Sequence, residues 1–342
     1  MAPQEDLTYF MEKACQGYVS KIEVIDMDTE IKLNQVGKNT YYIESETNIG
    51  IYKTGPDRVC IIDTGSRGDG EMIDVIMQQQ GWTPDCIINT HTHIDHIGGN
   101  KYLMGKYDIP AYCTEIDKAF AEYSDLEASY MNGGRPASKL RHIFAHPGKI
   151  GFKAIEDVMS AKGAAAEGAV ECSLDEFEIK TLPGHTFGMV GVKTPDDVWF
   201  LGDAYLSEAY MQKRSFGYLV DAGEYLETLE MLKGLDGKMF VPAHGVAETD
   251  ISRILELNKA NQKVLIETVK DACRGEGDSG AAYEGAGLDE IISKMYKVTK
   301  MRTNEANHAL LSSTVKCYLT YLQDKGEIAS SFVDNMMVWK TV

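Results

Sequence analysis

A chain of 342 residues has room for one large domain with a smaller one beside it. Its 44% hydrophobic and 25% charged residues are the mix of an ordinary globular protein, and no apolar run approaches the ~20 residues of a membrane span. The net charge of −18 is uneven: from Asp250 onward 12 basic residues meet 13 acidic ones, so the first 249 residues carry −17. Such a field repels polyphosphate backbones and makes nucleic acid a poor default partner.

The opening Met-Ala-Pro-Gln-Glu-Asp has neither a basic n-region nor an apolar h-region, so a cytoplasmic protein is expected rather than a secreted one. Seven singly scattered cysteines without a CxxC pair read as reduced thiols in that compartment. The first twenty residues read as an amphipathic helix. Short alternating runs then follow at 22–25, 40–43, 50–53 and 58–62, separated by Gly, Pro, Asn or Asp, and read as antiparallel strands. Apolar residues at helical spacing (Met72, Ile73, Val75, Ile76) mark a helix over 70–80. A strand at 86–89, a helix at 101–107 and a strand at 111–113 continue in α/β rhythm.

Residues 115–165 break that rhythm. They are helical in texture, rich in Tyr, Met, Ala and basic residues, and are expected to form an insertion with room to cover a pocket. Strands return at 176–181, 189–193, 198–201 and 239–241. From about Asp250 the chain turns helical, with a Gly-rich loop at 274–287, helices at 288–298 and 303–325, and strands at 327–332 and 336–341. Helix, helix, hairpin is the order of a winged-helix module. Its second helix has no basic excess, so packing or dimerisation is its expected role. His308, in that helix, is read as a packed or exposed histidine outside any site.

The chemistry concentrates in His91-Thr92-His93-Ile94-Asp95-His96, followed by Gly98 and Gly99. A strand ending at Thr90 would hand four ligands to a tight loop. Three imidazoles and a carboxylate are the borderline set of Zn²⁺ or Fe²⁺ rather than of Ca²⁺ or Mg²⁺. Three more strand ends carry one ligand each beside a glycine: His185 in Pro-Gly-His-Thr, Asp203 in Gly-Asp-Ala, and His244 in Pro-Ala-His-Gly. Together they make seven.

In chain order, Asp63 of IIDTG, the HTHIDH loop with Gly98 and Gly99, His185 of PGHT, Asp203 of GDA and His244 of PAHG resemble the five motifs of the metallo-β-lactamase superfamily. The resemblance covers roughly residues 20–249. It implies an α/β fold, the αββα sandwich, over 1–249, with 115–165 as the insertion over the site. The winged-helix-like domain then takes 250–342. It also implies two divalent metal ions, zinc first, with iron or manganese as alternatives. His91, His93 and His185 would bind one ion and Asp95, His96 and His244 the other; Asp203 would bridge them, and Asp63 would fix the ligand loop from behind. A water shared by two such ions becomes hydroxide at neutral pH, and Asp95 would orient it and take its proton.

Within the family, zinc β-lactamases are typically secreted and often carry Cys at the bridging position, where this chain has Asp203. Flavodiiron proteins have Glu where this chain has His93. Hydroxyacyl-glutathione hydrolases (glyoxalase II) and lactonases share the ligand set, while the C-terminal order resembles the tail of lactamase-β-2-like proteins, part of which cleave RNA. The expected function is hydrolysis of a small ester, thioester or lactone, with a phosphodiesterase or ribonuclease, or a mononuclear iron dioxygenase, as the alternatives. Tyr205, two residues beyond Asp203, and Arg141, His142 and His146 in the insertion are the candidate substrate contacts. A small-molecule substrate and a homodimer are the expected partners, with no membrane.

Overall fold

The computed structural model describes residues 32–123, 125–144, 149–160, 174–275 and 285–342, so the expected N-terminal helix and the strand at 22–25 lie outside the described residues. A first sheet takes seven strands in chain order: Lys32–Gln35 (β1), Thr40–Glu44 (β2), Ile49–Lys53 (β3), Arg58–Ile62 (β4), Thr83–Ile88 (β5), Ala111–Cys113 (β6) and Lys153–Ala154 (β7). β1 to β4 form an antiparallel meander. From β4 to β7 the pairing is parallel, with Asp69–Gln80 (α1) and Asn100–Tyr107 (α2) as crossovers. Before β7 come Glu115–Glu122 (α3), Asp125–Asn132 (α4) and Ser138–Phe144 (α5), and after it Ile155–Ser160 (α6).

The second sheet runs β11-β10-β9-β8, from Glu178–Thr181 (β8), Val190–Lys193 (β9), Val198–Phe200 (β10) and Met239–Val241 (β11). Between β10 and β11 lie Glu208–Lys213 (α7) and Ala222–Leu232 (α8). The chain closes with Ser252–Cys273 (α9), Ala286–Gly287 (β12), Leu288–Thr299 (α10), Glu305–Asp324 (α11), Ile328–Val333 (β13) and Met336–Thr341 (β14), the last strands forming a third sheet in the order β12-β14-β13.

Side-chain alternation sets the layers. In β4, Cys60 and Ile62 turn toward the second sheet while Val59 and Ile61 turn outward, and all four are buried. β10 does the same, with Val198 and Phe200 inward and Trp199 outward. The inner layer joins Tyr52, Ile88 and Tyr112 to Val190, Val192 and Val241. Outside the first sheet, Ile73, Met77 and Leu103 of α1 and α2 cover Ile51, Ile61 and Ile87. Outside the second, Leu182, Trp199 and Phe240 continue into Tyr225 and Leu229 of α8, Leu265 of α9, Met295 of α10 and Val315 of α11. This is the αββα order, with the C-terminal helices sharing the outer core of the second sheet.

Two expectations change. Residues 115–165 are not helical throughout, because Lys153 and Ala154 add β7 to the sheet edge beside β6, with Phe152, Ala154 and Ile155 buried there. Cys86 is disulfide-bonded, so the cysteines are not all reduced, whereas Cys60, Cys113, Cys273 and Cys317 are free. No spacing rule exposes such a bond, since its partners are set by the fold. Among the described residues no helix is long and apolar enough to cross a membrane.

Candidate metal centre

Each of the conspicuous loops begins just past the C-terminal end of a strand: Asp63 after β4, the histidine loop after β5, His185 after β8, Asp203 after β10 and His244 after β11. Two close approaches fold these ends together. An added Cβ on Gly98 would lie 2.2 Å from the carbonyl carbon of Ser66, so the histidine loop can press against the turn after β4. There Thr64 N donates to His96 O (2.8 Å) and Gly98 N to Gly65 O (2.8 Å). Gly202 has φ +52°, and its Cβ would come 2.8 Å from Thr90 Oγ1, so the turn bearing Asp203 abuts the same loop.

All seven expected donors gather in two adjoining clusters. The donor atoms of His91, His93, His185 and Asp203 lie within 4.8 Å of one another, and so do those of Asp95, His96 and His244. In the first, His93 Nδ1 is 3.0 Å from His91 Nε2 and 2.9 Å from His185 Nε2. His185 Nε2 is 3.2 Å from Asp203 Oδ2. In the second, His244 Nε2 is 3.4 Å from both Asp95 Oδ2 and Asp203 Oδ1, and His96 Nε2 is 3.5 Å from Asp203 Oδ1.

The outer ring nitrogens explain which atoms turn inward. Nδ1–H of His96 donates to Asp63 Oδ2 (2.9 Å), that of His185 to the Tyr218 carbonyl (2.8 Å) and that of His244 to the Glu46 carbonyl (2.6 Å). Thr90 gives its hydroxyl proton to Asp63 Oδ2 (2.7 Å), so its oxygen is free to accept from His91 Nδ1 (3.2 Å). In these four rings Nε2 faces the centre. His93 is reversed: its Nε2 lies 3.1 Å from Glu127 Oε1, which leaves Nδ1 inward.

The donor set fits cations. Burial, with His96 and His93 nearby, holds His91 well below the ordinary imidazole range, and burial lowers His185 to about 4 even though Asp203 opposes it. Both therefore present lone pairs toward His93. Burial also pulls His96 and His244 down, but Asp63 and Asp95 lift His96 well above its usual range, and Asp203 and Asp95 lift His244 to about 9. His96 Nε2 and Asp203 Oδ1 are buried without a hydrogen-bond partner. Leaving such atoms unsatisfied costs about 1–3 kcal/mol each, and a cation between them removes that cost.

The expected substrate contacts fare differently. The Tyr205 side chain is buried in the outer core with its hydroxyl unpartnered, and burial raises that phenol. Arg141 is half-buried and pairs with Asp125 at 3.5 Å, which commits it within the insertion. The His142 side chain and all of His146 lie outside the described residues. Residues that sequence reasoning missed take their place around the donors: Glu127 behind His93, Tyr218 behind His185, and Tyr210, whose ring stacks on His244 (6.3 Å between centroids, 29°). Glu127 stands in no motif, and Tyr218 acts through a backbone carbonyl, which residue identity does not encode.

The family profile described as Metallo-beta-lactamase superfamily matches residues 42–244. The probable metallo-hydrolase YqgX of Bacillus subtilis is 29% identical over 150 residues, covering 43% of this chain and 61% of its own. The beta-lactamase-like protein 2 homolog of Drosophila melanogaster is 26% identical over 222 residues, 64% of this chain and 65% of its own. The chain thus spans less than two-thirds of either relative's length. Among solved structures, a beta-lactamase domain protein from Burkholderia ambifaria aligns with a TM-score of 0.66 at 16% identity, over 91% of this chain and 94% of that one. A metallo-beta-lactamase family protein from Thermus thermophilus aligns at 0.59 and 16% identity, over 91% and 98%. At that identity the likeness is one of fold, and it extends into the C-terminal helices. With its profile match over more than half its length, the chain belongs to the metallo-beta-lactamase superfamily.

Proposed function

We propose that the chain is a dinuclear metal-dependent hydrolase of a small ester, thioester or lactone. The observation that supports this most is the placement of Asp203, with Oδ2 beside His185 in one cluster and Oδ1 beside His96 and His244 in the other. His91, His93 and His185 would hold one ion, Asp95, His96 and His244 the second, and Asp203 would give one oxygen to each. Nitrogen and carboxylate donors without a thiolate suit zinc, iron or manganese, and zinc is our first assignment. When bound, two such ions supply a nucleophilic water at neutral pH and polarise the oxygen of the scissile bond.

The chain's own groups do the positioning. Asp95 has a side chain 34% exposed, against 14% for Asp203, so it is the carboxylate an incoming substrate meets. Burial would raise its carboxyl, but His96 and His244 hold it well below the usual range. It therefore stays ionised and orients the attacking water through an acceptor oxygen rather than storing its proton. Arg214, at the end of α7, hydrogen-bonds the Tyr210 hydroxyl, which also lies within the fields of Asp203 and Asp95. Among the described residues no carboxylate pairs with Arg214. In so acidic a chain, a guanidinium at this place suits a substrate bearing a carboxylate.

A nuclease acting through the C-terminal module would need a free recognition helix. Half of α11 is buried, leaving Glu305, His308, Lys316, Thr320, Gln323 and Asp324 exposed, so that one ammonium faces two carboxylates. This favours the small-molecule reading. The test measures bound metal by elemental analysis and turnover of thioesters, p-nitrophenyl esters and lactones beside bis-p-nitrophenyl phosphate and RNA. Two ions per chain with acyl turnover is the expected outcome. Turnover of the phosphodiesters alone would sink the proposal, and a single ion per chain would turn it toward mononuclear chemistry.

A further inference from the structure

We infer that the C-terminal helix α11 is a working part of the metal centre: through Glu127 and Tyr218 it holds His93 and His185, so the first cluster depends on it and the second does not. The inference rests on the metal reading proposed above.

Neither support comes from the histidine loop. The His93 ring ends on the carboxylate of Glu127 (3.1 Å), and the His185 ring on the carbonyl of Tyr218 (2.8 Å). Glu127 lies on α4 and is 8% exposed, which is unusual for a glutamate and requires its charge to be met from within. α4 packs directly against α11. Beside it, Leu140 of α5 packs on Ala306 and Ala309 of α11, and Lys139 reaches Glu305 at 3.8 Å.

Tyr218 opens the strip that leads into α8, and α11 grips that strip at consecutive residues. The Leu219 amide donates to Thr314 Oγ1 (3.1 Å), the Cys317 thiol to the Val220 carbonyl (3.0 Å), and the Tyr218 hydroxyl hydrogen-bonds Ser313. Thr314 is fully buried. One face of a single helix therefore backs two of the three imidazoles in the first cluster. The second cluster is backed by Asp63 after β4 and by the Glu46 carbonyl between β2 and β3, both belonging to the first sheet. An acceptor behind a ligating imidazole fixes the ring and raises its basicity, and removing one lowers metal affinity by about 10–100-fold.

The experiment loads the full chain with zinc and reads two stepwise affinities by competition with a chromophoric chelator. It repeats the loading with Co²⁺ to follow each site's d–d bands. Glu127→Gln keeps the shape and removes the charge. Thr314→Val keeps the shape and removes the hydroxyl that receives the Leu219 amide. We expect Glu127→Gln to weaken one ion about 10–100-fold, and Thr314→Val to weaken the same ion several-fold. The other ion should stay within twofold of wild type, with one set of cobalt bands perturbed. Melting of the metal-free variants reports the folding cost, which a purely structural role would show without any difference between sites. Wild-type affinities at both sites, or equal weakening at both, overturn the inference alone. A wild-type chain that takes up fewer than two ions overturns the dinuclear reading and this inference with it.

Discussion

Around His96 every support comes from the end of neighbouring strands: Asp63 accepts from Asn89 Nδ2, from the amide and hydroxyl of Thr90, and from the imidazole itself. Around His93 and His185 the supports come from an insertion helix and from a strip clamped by the C-terminal helix. The two clusters share Asp203 but differ in what must be folded for each to exist. A bare αββα sandwich already contains everything that orients His96. It lacks half of what orients the other side, so on the proposed two-ion reading added segments would tune one ion and leave its neighbour alone.

Asp203 offers the largest test of this division, because it is the donor common to both sides. Asp203→Ala should cost both ions and lower hydrolysis by about 10³-fold or more, read as metal content and kcat. Retention of one ion at wild-type affinity would show that Asp203 serves one cluster rather than two. Asp63→Asn is the counterpart of Glu127→Gln: it should weaken the second ion about 10–100-fold through His96 and the first ion less, through Thr90 and His91, measured by the same chelator competition. Asparagine tolerates the left-handed backbone at this position (φ 58°), so the substitution isolates the lost charge. A smaller effect is expected from Arg214→Ala, which should raise KM roughly tenfold for substrates carrying a carboxylate while leaving kcat and the KM of neutral esters nearly unchanged. Equal losses on charged and neutral esters would remove Arg214 from substrate recognition.

What the sequence made legible follows the same division. The strands at 58–62, 111–113, 239–241 and 336–341 coincide with β4, β6, β11 and β14, and the seven donors converge, because period-2 burial and glycine-flanked strand ends are local signals. β1 escapes notice because its residues are half-buried or exposed on the sheet edge, so no apolar alternation marks it. α8 was legible in principle from Tyr225, Leu229 and Leu232 at helical spacing. The supports were not. Tyr218 lies 33 residues from His185 and contributes a carbonyl, while Glu127 sits in a helix whose neighbours are chosen by packing against α11. Such contacts exist only after the tertiary fold brings them together.

Asp117, on α3, carries the contrast between the two sides into stability. Like Asp63 it is buried, 2% exposed against 3%. Asp63 meets four donors, whereas Asp117 has the Thr186 hydroxyl at 3.5 Å and the Gly188 amide. Burial, with Glu127 adding repulsion, pushes its carboxyl up to about 7 in spite of His93. The folded chain thus binds this proton more tightly than the unfolded chain does. The resulting stability is complete below about pH 4 and is lost as pH rises through about 7. Asp117→Asn mimics the protonated form. It should match wild type near pH 4 and exceed it by a few kcal/mol at most at pH 8, on the order of 1.4 kcal/mol per pH unit between the two pKa values. Thermal melts across this range check it, with the variant minus wild type taken at each pH so that titrations remote from Asp117 cancel. A difference that is flat with pH would mean that Asp117 is ionised in the folded chain. The acidic residues around the first cluster would then be as well satisfied as Asp63 is around the second.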